Sequence, residues 1–386
     1  MNRLNDMFPM LKSREAVIEE IMNNRRMKLW FEGLGENERE LFLDICTGAR
    51  GMRITYDVYF KYVFDTEIHR DRLEDMLSCI LNMKVKIKEV LPLESICVAS
   101  DTTLLSMDII VEFEDGSIAN VEIQKIGYKF PGERAACYGA DLLLRQSKRA
   151  KADRGEDRKF SYKDIKPVYT IIFYEKSPGE FKTKELEGIY KHYVSYVSNT
   201  PLKLNMLQNY YMISLDIFRR IYENKTVNTK EEAWLAFLSM DKPEQIVRLL
   251  EVFPEFKDIY TDVYSLASNT EKVMEMFSEE LRELDEGTVQ LMIDEYEETI
   301  KERGKIIKEQ GEAIKKQDEI IKKQDEALKK QDEALKKQDE ALKKQDEALK
   351  KQDEALKKLE EKCNKQNDAL AAYEERIRKL EEKLSQ

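Results

Sequence analysis

The chain has 386 residues, 37% of them charged, and a formal net charge of −11, so any contact with nucleic acid must come from a local basic patch and not from a global positive field. No apolar run reaches the roughly 18–20 residues that a membrane-spanning helix needs, and the first residues lack the apolar core of a signal peptide, which points to a cytoplasmic protein without membrane partners. Five scattered cysteines with no CxxC pair, two distant histidines (His69 and His192) and the lack of a glycine-rich loop ending in Lys-Ser or Lys-Thr argue against zinc sites, His-dependent triads and P-loop motors, so any chemistry here runs on carboxylates.

Residues 1–53 read as a helical leader. Val17, Ile18, Ile21 and Met22, then Leu41, Phe42 and Ile45, recur at helical spacing, with breaks at Gly33, Gly35 and Gly48. A helix begins again at Tyr56 in YDVYFKYVFDTE, where Phe60, Val63 and Phe64 share one face and Asp57 and Lys61, four apart, share another. A second helix carries the stripe Leu73, Met76, Leu77, Ile80 and Leu81. Residues 85–91 alternate with lysines and stop at Pro92, as a strand does.

The stretch 104–125, LLSMDIIVEFEDGSIANVEIQK, organises the rest and reads as a β-hairpin. Ile109, Val111 and Phe113 alternate with Asp108, Ile110 and Glu112, and Ala119, Val121 and Ile123 alternate with Asn120, Glu122 and Gln124. Glu114-Asp115-Gly116 supplies the turn. A three-residue loop with Gly116 left-handed pairs Phe113 with Ser117 and sets Asp108 opposite Glu122 on one face. A two-residue Asp-Gly turn would put the two carboxylates on opposite faces; the three-residue form is the one expected. Two facing carboxylates with an amide at Gln124 suit a hard divalent ion such as Mg²⁺, which takes oxygen ligands and can neutralise charge on a phosphate. The competing reading is the wet side of an amphipathic hairpin.

After the hairpin, ERAACYGADLLLRQ forms a helix. Arg134, Tyr138, Asp141 and Arg145 fall on one stripe, while Ala136, Ala140 and Leu143 offer a small face for close packing on a sheet. A loop dense in Arg and Lys follows, and VYTIIFY is an apolar strand suited to the middle of a sheet. The order of elements over 54–180 predicts an α/β core on a mixed central sheet flanked by helices. From about residue 181 the chain reads as an accessory helical region, 181–304.

Residues 305–386 repeat QDEALKK at a period of seven. Ile314, Ile321, Leu328, Leu335, Leu342, Leu349 and Leu356 hold one heptad position; Gln317 to Gln352 hold its companion, which turns apolar only at Leu359, Tyr373 and Leu380. Pairs such as Asp332 with Lys336 support a long helix, about 120 Å if unbroken. The seam makes a homo-oligomer through the heptads an expectation, with a variable-length spacer as the alternative.

With these residues in view, the chain resembles the recombination-promoting nuclease (Rpn) family of PD-(D/E)xK nuclease-like transposases over roughly residues 54–300. YDVYFKYVF is similar to the family's opening helix, MDIIVEFEDGSIANVEIQ to its metal hairpin, ERAACYGADLLLRQ to the helix that follows and IKPVYTIIFY to the fourth strand. The resemblance implies a restriction-endonuclease-like fold and a Mg²⁺-dependent DNA endonuclease (Mn²⁺ being the other ion to consider) acting in recombination or mobile-element activity. Carried over, Asp108 and Glu122 bind the metal with the Ile123 carbonyl as a third ligand, Gln124 stands where the wider superfamily has Lys, and Asp57 approaches a second metal. Arg134 and Tyr138 become contacts to DNA phosphate, as do Lys148, Arg149, Lys151, Arg154 and Arg158 in the basic loop. Two rival functions keep the same elements: a nuclease-fold DNA-binding module without turnover, and a scaffold whose working part is the heptad tail.

Overall fold

The computed structural model describes residues 3–91, 108–152 and 160–384. The approach to the hairpin at 104–107, the strand end at Pro92, and Arg154 and Arg158 lie outside the described residues. The chain divides into two units, Met1–Glu297 and Glu298–Gln386.

The first unit opens with four helices, α1 (Arg3–Met7), α2 (Arg14–Asn23), α3 (Arg25–Gly33) and α4 (Glu36–Thr47). Ser13 and Asn24 accept N–H groups at the starts of α2 and α3, meeting donors that the first turn leaves unpaired. Gly48, at φ 68°, closes α4 in the left-handed conformation. Helices α5 (Asp57–Val63) and α6 (Arg70–Leu81) follow, with Phe60, Val63, Phe64, Leu73, Met76, Leu77 and Ile80 all buried, as their spacing predicts.

The sheet has six strands: β1 (Ile87–Val90), β2 (Ile109–Phe113), β3 (Ile118–Gln124), β4 (Val168–Tyr174), β5 (Lys191–Val194) and β6 (Gln208–Ser214), in the order β1-β2-β3-β4-β6-β5. β1, β2 and β3 are antiparallel, β3, β4 and β6 are parallel, and β5 returns antiparallel at the edge. A mixed sheet of this kind must be covered on both faces, and it is. Helix α7 (Pro131–Ala152) crosses one face over Ile110, Ile118, Val168, Ile172, Tyr210 and Met212. The other face, with Ile109, Val111, Ala119, Val121, Ile171 and Phe173, joins one apolar core. To that core the opening helices contribute Phe8, Val17 and Phe42. Helices α8 (Leu215–Tyr222), α9 (Lys230–Ser239), α10 (Pro243–Val252), α11 (Phe256–Ala267) and the start of α12 (Thr270–Leu384) add Phe218, Trp234, Ile246, Tyr264 and Phe277.

Two expectations change here. The stretch after residue 181 is not helical from its start, because β5 and β6 complete the sheet before the helices resume. β5 is a four-residue edge strand whose burial runs from intermediate to exposed, and QNYYMIS in β6 does not alternate, so neither carries a strand's sequence signature. The face of α7 also differs: Ala136 and Ala140 are exposed, whereas Ala135, Tyr138, Gly139, Asp141, Leu142 and Arg145 are buried. The polar stripe turns inward because its polar ends are satisfied there. Arg145 pairs with Asp141 at 2.5 Å and Gln146 donates to the Gly116 carbonyl at 2.5 Å.

The second unit, Glu298–Gln386, contains the later part of α12, and its side chains are exposed almost throughout the described residues.

Candidate active site

The hairpin turn fixes the site. Gly116 adopts φ 83°, its N–H donates to the Phe113 carbonyl at 2.9 Å, and the Phe113 N–H donates to Ser117 at 2.8 Å. This is the three-residue loop. The register Ile109–Val121, Ile110–Asn120, Val111–Ala119 and Glu112–Ile118 follows from it and places Asp108 across from Glu122. Counting from the hydrogen-bonded pair Phe113–Ser117, that position is a non-hydrogen-bonded pair, where facing side chains stand closest.

The two acids are brought together, and Asp108 is tied to the strand of Glu122. The Ile123 N–H donates to Asp108 Oδ2 at 2.7 Å. Tyr138 of α7 donates its hydroxyl to Glu122 Oε1 at 3.1 Å. Glu122 is 7% exposed and its Oε2 has no protein partner. Burial, opposed by the Ile123 N–H and reinforced by the charge of Asp57, pushes the Asp108 carboxyl up to about 6. Burial and then the charge of Asp108 push Glu122 well above the usual carboxylate range, against the Tyr138 hydroxyl and Arg134. These are not the solvated acids of a wet hairpin face.

β3 alternation puts Asn120, Glu122 and Gln124 on the α7 face of the sheet. Both amide atoms of Gln124, which is 4% exposed, lack a protein partner, as do those of Asn120 and the hydroxyls of Thr170 and Tyr174. Gln124 stands on the same side as Glu122 with its amide uncommitted, able to donate or accept.

The remaining expected residues are placed as follows. Asp57 heads α5, bonded to Lys61 at 2.8 Å, near enough to act on Asp108 by charge. Among the described residues no group of three or more His, Cys, Asp or Glu side chains could hold a metal ion, so Asp57 does not complete a three-carboxylate cluster. Arg134 lays its guanidinium over the Tyr128 ring at 4.4 Å and faces Glu122 by charge. Tyr138 is buried with its hydroxyl on Glu122, so it holds a carboxylate where a DNA phosphate was expected. Arg149 is likewise committed, bonding Glu89 and Glu112, two like charges that face each other across β1 and β2. Lys148 and Lys151 are exposed, Lys151 over the Phe160 ring. Lys125, on the opposite sheet face from Gln124, pairs with buried Glu280 of α12. Sequence reasoning passed over the influence of Lys61 and Lys125 on Asp108. For Lys61 the signal was present, since it lies one helical turn from Asp57.

The donor set can be tested against the ion that the sequence suggests. A hard cation needs oxygen ligands. Here are two adjacent carboxylates, one with a buried oxygen that has no protein partner. The Ile123 N–H points to the Asp108 edge, and the carbonyl of the same residue in a strand is directed to that edge too, while the Gln124 carbonyl accepts from Glu175 on the β4 side. Asp108, Glu122 and the Ile123 carbonyl therefore fit a divalent cation.

A mixed sheet whose antiparallel hairpin presents paired acids next to parallel strands, with one helix packed across them, defines a restriction-endonuclease-like α/β core. The chain belongs to the PD-(D/E)XK nuclease family transposases, whose family model matches residues 54–291. That span holds the whole sheet, α7 and the helices up to the start of α12, and it gives the protein a nuclease- or transposase-related role. Comparisons with curated proteins and with solved structures give no match. Among the described residues, no helix is long and apolar enough to cross a membrane.

Proposed function

We propose that the protein is a divalent-metal-dependent DNA endonuclease of the cytoplasm, acting in recombination or mobile-element activity. The observation that carries this reading is the facing pair Asp108 and Glu122, with Glu122 buried and one of its oxygens uncommitted. Asp108, Glu122 and the Ile123 carbonyl hold the ion, Mg²⁺ or Mn²⁺. When bound, it supplies positive charge that acidifies a water and offsets charge on the phosphate. The protein's own groups do the positioning. Tyr138 fixes the rotamer of Glu122, the Ile123 N–H fixes Asp108, and Gln124 offers its amide to a water or a phosphate oxygen. Arg134, half-buried next to Glu122, faces a non-bridging phosphate oxygen, while Lys148 and Lys151 meet flanking phosphates, which orient the strand without reading its sequence. Water attacks phosphorus in line and a 3′-hydroxyl departs.

Supercoiled plasmid incubated with the purified protein tests this. Nicking is expected with Mg²⁺ or Mn²⁺ and none with EDTA. Asp108→Ala and Glu122→Ala should each abolish it while the circular dichroism spectrum stays unchanged. Full activity in either variant refutes the assignment, and a mobility shift without cleavage in the unaltered protein identifies a DNA-binding module instead.

A further inference from the structure

Away from the carboxylate pair, a cavity of about 370 Å³ opens between the segment before α5, the end of α8 and the start of α10. Five cations line it, Arg50, Arg53, Arg219, Arg220 and Lys242, against three carboxylates, Asp216, Glu223 and Asp241. A positive surplus in one cavity of a chain with net charge −11 is a local feature that needs a cause.

Each carboxylate is already engaged. Asp241, 4% exposed, receives Arg50 at 2.7 Å and Arg53 at 3.3 Å. Asp216 accepts the Ser177 N–H at 3.1 Å and meets Lys182 at 3.3 Å, and Glu223 holds Lys242 at 2.6 Å. Among the described residues, Arg219 makes one hydrogen bond, from its guanidinium to the Ser239 carbonyl at 3.4 Å, and Arg220 is exposed with no carboxylate partner. The wall is also built to a fixed shape. The Gly51 N–H donates to the Asp241 carbonyl at 2.6 Å, and a Cβ at Gly51 would lie 2.4 Å from Ile246 Cδ1 and 3.0 Å from that carbonyl oxygen. Glycine therefore lets the segment carrying Arg50 and Arg53 lie flat against Asp241.

We propose that this cavity is a binding site for phosphate groups. Guanidinium forks match phosphate oxygens with paired N–H donors and stay charged at all relevant pH. Arg50 and Arg53, held by Asp241, form a fixed floor, and Arg219 and Arg220 supply the donors that remain. The phosphate has two sources, a nucleic-acid backbone or free phosphate. The first draws on the endonuclease reading, and it suits the location: Arg53 bonds Glu175 at 3.2 Å, and the Glu175 N–H donates to the carbonyl of Gln124, two residues beyond Glu122.

The test measures binding in EDTA, where cleavage plays no part. Inorganic phosphate is titrated by calorimetry and a labelled DNA duplex by fluorescence anisotropy. The Arg219→Gln/Arg220→Gln chain should lose roughly tenfold in affinity for at least one of them, the size expected for charged hydrogen bonds. Loss for the duplex, with a salt slope lower by about one per contact removed, identifies a backbone phosphate. Loss for inorganic phosphate alone identifies the free ion. Unchanged affinities, no binding of either ligand, or an equal loss in a Lys163→Gln/Lys184→Gln control, at exposed lysines that do not line the cavity, overturns the proposal. Arg220→Gln alone, at an exposed position, serves if the double variant melts early. A chain that fails to cut plasmid leaves these readouts intact.

Discussion

Glu122 is a carboxylate enclosed by β2, β3 and α7 with another acid directly across from it, and Tyr138, Arg134 and Asp108 are the polar or charged groups that face it. Asp108 in turn lies within reach of the charges of Asp57, Lys61 and Lys125. Because both folded-state values are raised, the folded chain keeps protons over a pH range in which the unfolded chain has released them. Without metal, stability should therefore fall as pH rises from the ordinary carboxylate range near about 4 through the raised folded values. Glu122→Gln removes the buried charge, so in EDTA at pH 8 its Tm should exceed that of the unaltered protein, by about 1–2 °C per kcal/mol relieved, with the gap narrowing at pH 5. Mg²⁺ should raise the Tm of the unaltered chain and not that of the variant. A variant that melts at or below the unaltered protein at pH 8 would show that Glu122 is not held in a buried site opposed by Asp108. Tyr138→Phe leaves the fold and takes one donor from Glu122; plasmid nicking should slow by roughly tenfold, the worth of a hydrogen bond to a charged group. At this scale the sequence was informative where backbone parity decided the outcome. Gly116 made the three-residue turn readable, and Asp108 and Glu122 followed from it. The partners of Tyr138 and Arg149 were not readable, because a phenol or a guanidinium on a helix looks the same whether it meets a phosphate or a buried carboxylate.

Among the elements, α7 lies unusually close to the sheet at Gly139. A Cβ there would sit 2.4 Å from the Tyr210 hydroxyl and 2.8 Å from its Cε1. Gly139→Ala must therefore push α7 off β6 or displace the ring, and overpacking of this kind costs about 1–3 kcal/mol. Tyr210→Phe in the same chain should restore part of the loss, since it removes the nearest atom and leaves the ring carbons. Urea unfolding midpoints measure both, and a Gly139→Ala chain as stable as the original would mean that the helix does not lie so near. The period of α7 was legible but not its orientation. Three alanine and leucine positions suggested one packed face, whereas Asp141 with Arg145, and Gln146 with the Gly116 carbonyl, let a polar stripe go inside. β5 and β6 escaped notice for a related reason: the tyrosine-rich β6 owes its place to pairing with β4, and the edge strand β5 to pairing with β6, not to their own alternation.

For the molecule as a whole, the first unit carries the sheet, the candidate site and the basic cavity, and the second is a helix with an apolar stripe. Leu328, Leu335, Leu342, Leu349 and Leu356 are 59–63% exposed at seven-residue intervals. A lone helix gains nothing from a heptad seam, while a second helix with the same seam would cover it. The companion row of Gln weakens that pairing, so assembly should be loose and concentration-dependent. Light scattering across a dilution series should show a mass that grows with concentration and stops growing when residues 305–386 are removed, with plasmid cleavage retained. Replacing Gln331, Gln338 and Gln345 with Leu fills the seam and should shift the equilibrium to a tight oligomer at low concentration. If the Leu variant and the original both stay monomeric throughout, the repeats set a length and not an interface, because a filled leucine seam that still refuses a partner would have to be blocked by its flanking charges.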